Sequence, residues 1–234
     1  MNKLPSLSIF MPCYNEEANV ERVTRAAIEA GTKVTDDLEV IIVNDGSRDR
    51  TGQIADALAA ADPRVRAAHN IPNQGYGGAV VRGLTEARKD WIFFTDGDGQ
   101  FDMNEIPKLV ALLDRCDFAV GYRIDRADSM MRKLNAWAWG TLVRFLFGLK
   151  VRDIDCAFKL LPRKLMQQIK LESRGALIST ELLARAAKAG YRIEEVGVHH
   201  YPRTAGTQTG AKLGVILRAF KELFKLSGKI KRGE

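Results

Sequence analysis

The chain has 234 residues, 46% of them hydrophobic and 28% charged, values that exclude a disordered or collagen-like polypeptide and allow a sizeable core. Its formal charge of +7 is unevenly divided. Residues 1–122 carry 13 Lys/Arg and 19 Asp/Glu (net −6), and residues 123–234 carry 23 and 10 (net +13). A basic half predicts an anionic partner: lipid headgroups, a phosphorylated substrate or nucleic acid. Three scattered cysteines fit neither a disulfide framework nor a zinc site and predict a reducing, cytoplasmic setting. The first ten residues hold no long apolar run, so no secretory leader is expected. Trp137 to Leu149, the longest apolar-leaning stretch, is broken by Arg144 and is too short to span a bilayer.

Along the chain, Leu7–Pro12 reads as a buried strand, followed by a helix over Glu16–Ala30 with Asn15 as its cap. Leu38–Asp45 is a second strand, with Ser47, Asp49 and Thr51 as possible caps for a helix through Ala61. VRAAH, a Gly-rich loop and a helix from about Gly78 to Arg88 make a third unit. Trp91–Asp96 is a fourth strand, Asp102–Asp114 a helix, and Phe118–Tyr122 a fifth strand. This alternation predicts an α/β chain built on a mainly parallel sheet with helices on both faces. In the second half, helices are expected over Ser129–Leu149 and Thr180–Ala189 and strands over Cys156–Pro162 and Tyr191–Val198. Ala211–Lys229 reads as an amphipathic helix, with Leu213, Ile216, Leu217, Phe220, Leu223 and Phe224 on one face and Arg218, Lys221, Lys225 and Lys229 on the other.

Ligands of an open parallel sheet bind at the carboxyl ends of its strands. Three polar clusters stand at such ends: Pro12-Cys13-Tyr14-Asn15-Glu16, Asn44 to Asp49, and Asp96-Gly97-Asp98-Gly99-Gln100. In the last, two carboxylates at i and i+2 and an amide oxygen at i+4 offer hard oxygen ligands suited to Mg²⁺ or Mn²⁺ carrying a diphosphate. An EF-hand loop fails, because Phe101 stands where glycine is required. Asn73–Gly78 opens a helix and its amides could meet an anion, but it does not complete a dinucleotide fingerprint. His199 and His200 are expected to hydrogen-bond near an acceptor loop rather than bind metal, and Cys156 to be buried packing. Glu181 reads as a first-turn acid, with a contact to a sugar as the alternative. Asp153 and Asp155 are expected to orient arginines or cap a turn.

The ordered set PCYNEE, VNDGSRDRT, NQGYGGA and DGDGQ resembles the family 2 glycosyltransferases of GT-A (Rossmann-like) fold, in their polyprenol-phosphate branch. VGYR, VRDIDCAFKLLPRK and EEVGVHHYPRTAG also resemble that branch. The resemblance implies one domain over residues 1–210, a nucleotide-sugar half (1–122) and an acceptor half (123–210), followed by the 211–234 helix. It implies that Pro12, Tyr14, Asn15, Glu16, Asp45, Asp96, Gly97 and Asp98 hold a nucleotide-sugar, and that Asp96, Asp98 and Gln100 hold the metal. Arg123, Arg132, Lys159 and Arg203 would hold the acceptor phosphate, with Asp98, Arg123 and Arg203 central to catalysis. The expected reaction is inverting transfer of a sugar from GDP-mannose or a UDP-sugar to dolichyl or undecaprenyl phosphate. The alternatives are a saccharide hydroxyl acceptor and, from another class, a non-catalytic basic module for membranes or nucleic acid. Two departures stand out: Asn44-Asp45 replaces the usual Asp-Asp pair, and Gly206-Thr207-Gln208-Thr209 replaces G-E-S-K.

No nucleic-acid-binding motif is present. The tail helix, and a second Trp-rich segment with Trp137, Trp139, Phe145 and Phe147 flanked by Arg132, Lys133 and Lys150, are expected to lie at a membrane surface. Packing on the core or on a second subunit is the competing expectation, so a homo-oligomer or an integral-membrane partner enters as a possible companion.

Overall fold

Seven strands form one sheet in the order β3-β2-β1-β4-β6-β5-β7 in the computed structural model, which describes residues 3–124, 130–175, 177–203 and 213–232. The side chains of residues 130–137, 213–221 and 231 are outside the described ones. The strands are β1 (Leu7–Cys13), β2 (Leu38–Asn44), β3 (Val65–His69), β4 (Trp91–Phe94), β5 (Phe118–Ile124), β6 (Lys159–Pro162) and β7 (Ile193–His199). The helices are α1 (Val20–Val34), α2 (Thr51–Ala61), α3 (Gly75–Glu86), α4 (Ile106–Val110), α5 (Met130–Phe147), α6 (Leu165–Gln168), α7 (Ile178–Lys188) and α8 (Leu213–Arg232).

β1 and β2 are apolar almost throughout because helices cover both sides of them, as in parallel sheets generally. Gly31 of α1 abuts Ile9 and Gly83 of α3 abuts Phe10. Successive strand residues point to opposite faces, so α1 and α3 sandwich the sheet. A side chain at Gly83 would strike the Phe10 ring, which is why a helix interior tolerates glycine there. Phe10, Phe93, Phe94 and Phe158 are fully buried at the centre, with Phe93 edge-on to Phe158 at 4.6 Å.

The sheet is mainly parallel, as expected, with β6 antiparallel to both β4 and β5 and the other pairs parallel. Several other expectations are corrected. β6 begins at Lys159 rather than Cys156, because the carbonyls of Ile154 and Cys156 accept from the Lys159 ammonium instead of joining a ladder. α1 starts at Val20, and Asn15 is not its cap. The amides of Glu16 and Glu17 donate to Thr51 Oγ1 (2.8 Å) and Asp49 Oδ2 (3.1 Å), which draws the chain away before the helix opens at Asn19. The 103–114 segment is two 3₁₀ turns around the short α4 rather than one helix.

The amphipathic tail divides. Leu223, Leu226 and Ile230 are buried, with Leu226 and Ile230 against Ala184 of α7. Lys188 donates to the Ile230 carbonyl and Lys229 pairs with Glu172. The part of α8 with described side chains is therefore a docked helix. Leu213, Ile216, Leu217 and Phe220, and Trp137 and Lys133 of α5, have side chains outside the described ones. On α5, Val143 is buried and Trp139 packs partly against the core. No helix among the described residues is long and apolar enough to cross a membrane.

Candidate active site

β1, the strand between β2 and β4, is where the strand order changes direction, and the crevice of an open α/β sheet forms at such a point. Cys13 is in register with Asn44, and Phe10 with Phe94, so the three polar clusters leave adjacent strands at one end of the sheet. They enclose a crevice of about 610 Å³ lined by Pro12, Tyr14, Asn15, Glu16, Asp45, Asp96, Gly97, Asp98 and Arg203, together with Asn73, Gly75, Tyr76 and others. Every residue expected to hold the nucleotide-sugar is thus in one place.

Each loop is shaped by its own hydrogen bonds. Asn15 takes a left-handed φ of 56°, held by its amide donating to Ser47 Oγ (3.0 Å) and by Arg48 N–H donating to its Oδ1 (2.8 Å). Asp45 is buried and its Oδ1 accepts from Asn70 Nδ2 and the Gln74 amide, both at 2.9 Å, so it fixes the Gly-rich loop. Two first-turn amides of α3 are in use: Gly75 N–H donates to Asn73 Oδ1 and Gly77 N–H to Arg174 O. That loop walls the crevice without presenting those amides to an anion. Gly97 is required by space, since a Cβ there would lie 2.4 Å from Cys13 Sγ. Asn44 accepts from Ser47 N–H and faces His69 on the edge strand β3, and it does not line the crevice.

Asp96 and Asp98, the two carboxylates expected to hold a metal, lie at the end of β4. Asp96 Oδ1 accepts from Tyr76 OH at 3.0 Å, and Asp98 Oδ1 accepts from Gln100 N–H at 3.1 Å. Burial, then the adjacent charge of Asp98, pushes the Asp96 carboxyl up to about 7, while the Tyr76 hydroxyl, Lys159 and Arg123 hold it down. Two carboxylates forced together this way are a fit for a divalent cation, whose charge relieves the repulsion. No group of three or more His, Cys, Asp or Glu side chains among the described residues forms a metal cage, so such a cation would complete its shell with oxygens of a bound ligand. Gln100, expected as a third ligand, donates its side-chain Nε2–H to Tyr201 O at 2.7 Å, and its backbone carbonyl accepts from Tyr201 N–H. It ties the Asp96–Gln100 loop to the segment that carries Arg203.

The basic residues differ in their standing. Arg203 pairs with Glu16 and lies 3.8 Å from Asp98, bridging the first and third clusters. Arg123 is gripped by Asp153 through Nε (2.7 Å) and Nη2 (2.8 Å), and that pairing raises its already high pKa against the pull of burial. Lys159 is corrected: it is fully buried beneath the site, hydrogen-bonded to Ile154 O at 3.1 Å and to Cys156 O, with its ammonium 5.3 Å from the Phe94 ring centre. Burial lowers its pKa, and it contributes charge from below rather than a contact to an acceptor. Arg132 lies on α5 with its side chain outside the described ones, and the 204–212 segment is outside the described residues.

Glu181 is likewise settled by its surroundings. It has no exposed surface, accepts from the amides of Glu172 and Ser173 and pairs with Arg185 at 2.8 Å. It holds the loop whose Arg174 carbonyl supports α3 and is not available to a sugar. His199 bonds Glu105 (2.8 Å) and His200 packs edge-on to Phe101. Cys156 is buried, its thiol pushed up to about 12 by burial and then by Asp153. Sequence reasoning missed Tyr76 as the partner of Asp96; its only signal was its place in the Gly-rich loop.

A stability prediction follows from Asp96. With a folded-state pKa near 7 and an unfolded value near 3.8, the folded protein holds a proton between those limits that the unfolded chain has lost. Stability of the ligand-free protein is therefore present at low pH and falls as pH rises toward 7, by up to about 1.4 kcal/mol per unit. Urea unfolding at pH 5 and 7 should show this loss in the native sequence and not in Asp96→Asn; equal slopes in the two would refute it.

The glycosyl transferase family 2 model matches residues 8–170. The chain is 34% identical over 207 residues to glycosyltransferase AglD of Haloferax volcanii, covering 84% of this chain and 33% of that protein. It is 29% identical over 207 residues to an undecaprenyl-phosphate mannosyltransferase of Micrococcus luteus, covering 84% of each. Among solved structures, glucosyl-3-phosphoglycerate synthase from Mycobacterium tuberculosis, in complex with Mn²⁺ and uridine-diphosphate-glucose, superposes with a TM-score of 0.73 at 20% identity, covering 96% of this chain and 79% of that one. The chain thus spans a third of the length of the archaeal relative and most of the bacterial one.

Proposed function

The chain belongs to glycosyl transferase family 2, and from that premise we propose that it moves a sugar from a nucleotide donor to a polyprenyl phosphate at a membrane surface. The observation that carries the reading is the facing of Asp96 and Asp98 by Arg203 across one crevice, with the Asp153-held Arg123 close enough for its charge to act on Asp96. Carboxylates supply a cation site for a diphosphate, and arginines supply sites for a second phosphate. The undecaprenyl-phosphate acceptor in the name of the Micrococcus relative supports the lipid, and the Mn²⁺ and UDP-glucose of the Mycobacterium structure support the donor and the cation.

In this mechanism Pro12, Tyr14, Asn15 and Asp45 hold the nucleoside end, and Asp96 and Asp98 would hold Mg²⁺ or Mn²⁺. When bound, that cation neutralises charge on the departing diphosphate. Arg123 and Arg203 orient the acceptor phosphate for in-line attack. A phosphate oxygen forms the new bond to the sugar C1 as the bond from C1 to the diphosphate breaks, its electron pair leaving with the nucleoside diphosphate. The phosphate is already ionised at neutral pH, so no proton need be removed, and the configuration at C1 inverts. Glu181, committed to Arg185 and two amides, gives a hydroxyl acceptor no base from that position.

Titration of UDP and GDP with and without Mn²⁺ tests the donor half. Binding that needs the cation and is lost in Asp98→Asn supports it; binding indifferent to EDTA sinks the metal assignment. For the membrane, Phe145 on α5 and Phe224 on α8 are 84% and 56% exposed, on helices that touch each other. Serine at both positions should weaken sedimentation with phosphatidylglycerol vesicles by about tenfold or more, since each buried Phe is worth roughly 2 kcal/mol. Unchanged sedimentation would remove these residues from the membrane contact.

A further inference from the structure

We infer that His69 is a positioning residue for the nucleotide end of the crevice, acting through Asn44; the inference rests on the donor reading above. His69 ends β3, one strand beyond β2, and does not line the crevice. Its Nδ1 lies 3.0 Å from Asn44 Nδ2 and its Nε2 lies 2.9 Å from Asp56 Oδ1 on α2. The direction of these bonds is set by their neighbours. Ser47 N–H donates to Asn44 Oδ1 at 3.1 Å, so the Asn44 amide must turn its NH₂ to the ring. Nδ1 then has to accept, and Nε2 carries the hydrogen and donates to Asp56.

The chain of bonds continues to the crevice. Ser47 Oγ accepts from the Asn15 amide, and Arg48 N–H donates to Asn15 Oδ1. Asn15 lines the crevice in a left-handed conformation, and these two bonds fix it there. Asp56, His69, Asn44, Ser47 and Asn15 thus form one line from α2 to the donor site.

The substitutions separate this role from simple packing. His69→Leu removes the acceptor and frees the Asn44 amide to rotate. His69→Asn puts an amide oxygen close to where Nδ1 was and should restore the bond.

Two readouts are taken on each variant: hydrogen exchange of the Ser47 and Arg48 amides without ligand, and affinity for UDP and GDP with Mn²⁺. In His69→Leu we expect Ser47 exchange and the nucleotide Kd each to rise about tenfold, the worth of one buried hydrogen bond. His69→Asn should recover most of both, and the acceptor KM should not move. Unchanged Ser47 exchange in His69→Leu, failure of His69→Asn to recover it, or imidazole nitrogen shifts showing hydrogen on Nδ1 would overturn the inference. If the native protein binds neither nucleotide, the donor reading falls, and Ser47 exchange alone decides whether His69 holds the loop.

Discussion

Asp98→Asn is expected to lower kcat/KM for sugar transfer by about 10³, the scale seen when a group that stabilises developing charge is removed, and at the same time to stabilise the ligand-free protein at neutral pH. The two effects share a cause. Asp98 is the largest charge acting to raise the Asp96 carboxyl, and it sits 3.8 Å from Arg203. Replacing it with a neutral amide of the same shape ends the repulsion that opposes folding, and removes half of the carboxylate pair that fits a cation. Active sites commonly hold such like-charge pairs at a cost in stability. A higher Tm at pH 7.5 with transfer nearly abolished is the expected result. Lost transfer with an unchanged or lower Tm would mean that the repulsion is not felt in the folded protein.

Arg123→Met is expected to cost both stability and acceptor use, and a second substitution should separate the two. Arg123 and Asp153 are largely buried and joined by two bonds of 2.7 and 2.8 Å. Depriving Asp153 of this partner should destabilise the protein by about 3–5 kcal/mol, because a buried carboxylate loses its bidentate cation. If Arg123 also holds the acceptor phosphate, kcat/KM for the acceptor should fall by about 10²–10³ while nucleotide affinity stays the same. Arg123→Met combined with Asp153→Leu should recover much of the stability, since an apolar pair can replace a buried ion pair. It should recover none of the acceptor kinetics. Recovery of both would make Arg123 a structural residue. Arg123→Lys should not rescue transfer, because an ammonium cannot reproduce the fork that Asp153 grips.

The central strands were legible because burial on both faces turns them into nearly continuous apolar runs, as in LSIFMPC and LEVIIVN. Knowing which strands are central also located the site, since polar clusters directly after such runs must meet at one end of a parallel sheet. The direction of β6 was not legible. KLLP carries no local mark of antiparallel pairing, and its lysine read as a phosphate ligand. Lys159 is inside because two turn carbonyls receive its ammonium, a relation between chain segments that no periodicity encodes. Asn15 misled for a similar reason. Asn before an acidic helical pattern reads as a cap, but Ser47 and Arg48, 32 and 33 residues later, hold it in a left-handed turn instead. Glu181 kept its first-turn place while its partners, Arg185 and the 172–173 amides, gave it a structural task.

The account is tested most directly by transfer into an organic phase. Purified protein, Mn²⁺ or Mg²⁺ and a short-chain polyprenyl phosphate would be incubated with each of a set of radiolabelled nucleotide-sugars, then extracted. Label entering the organic phase with at least one donor, absent with EDTA and in Asp98→Asn, is the predicted result. No organic label with any donor, from protein that still binds the nucleotide in a cation-dependent manner, would contradict the lipid acceptor and turn attention to a saccharide hydroxyl.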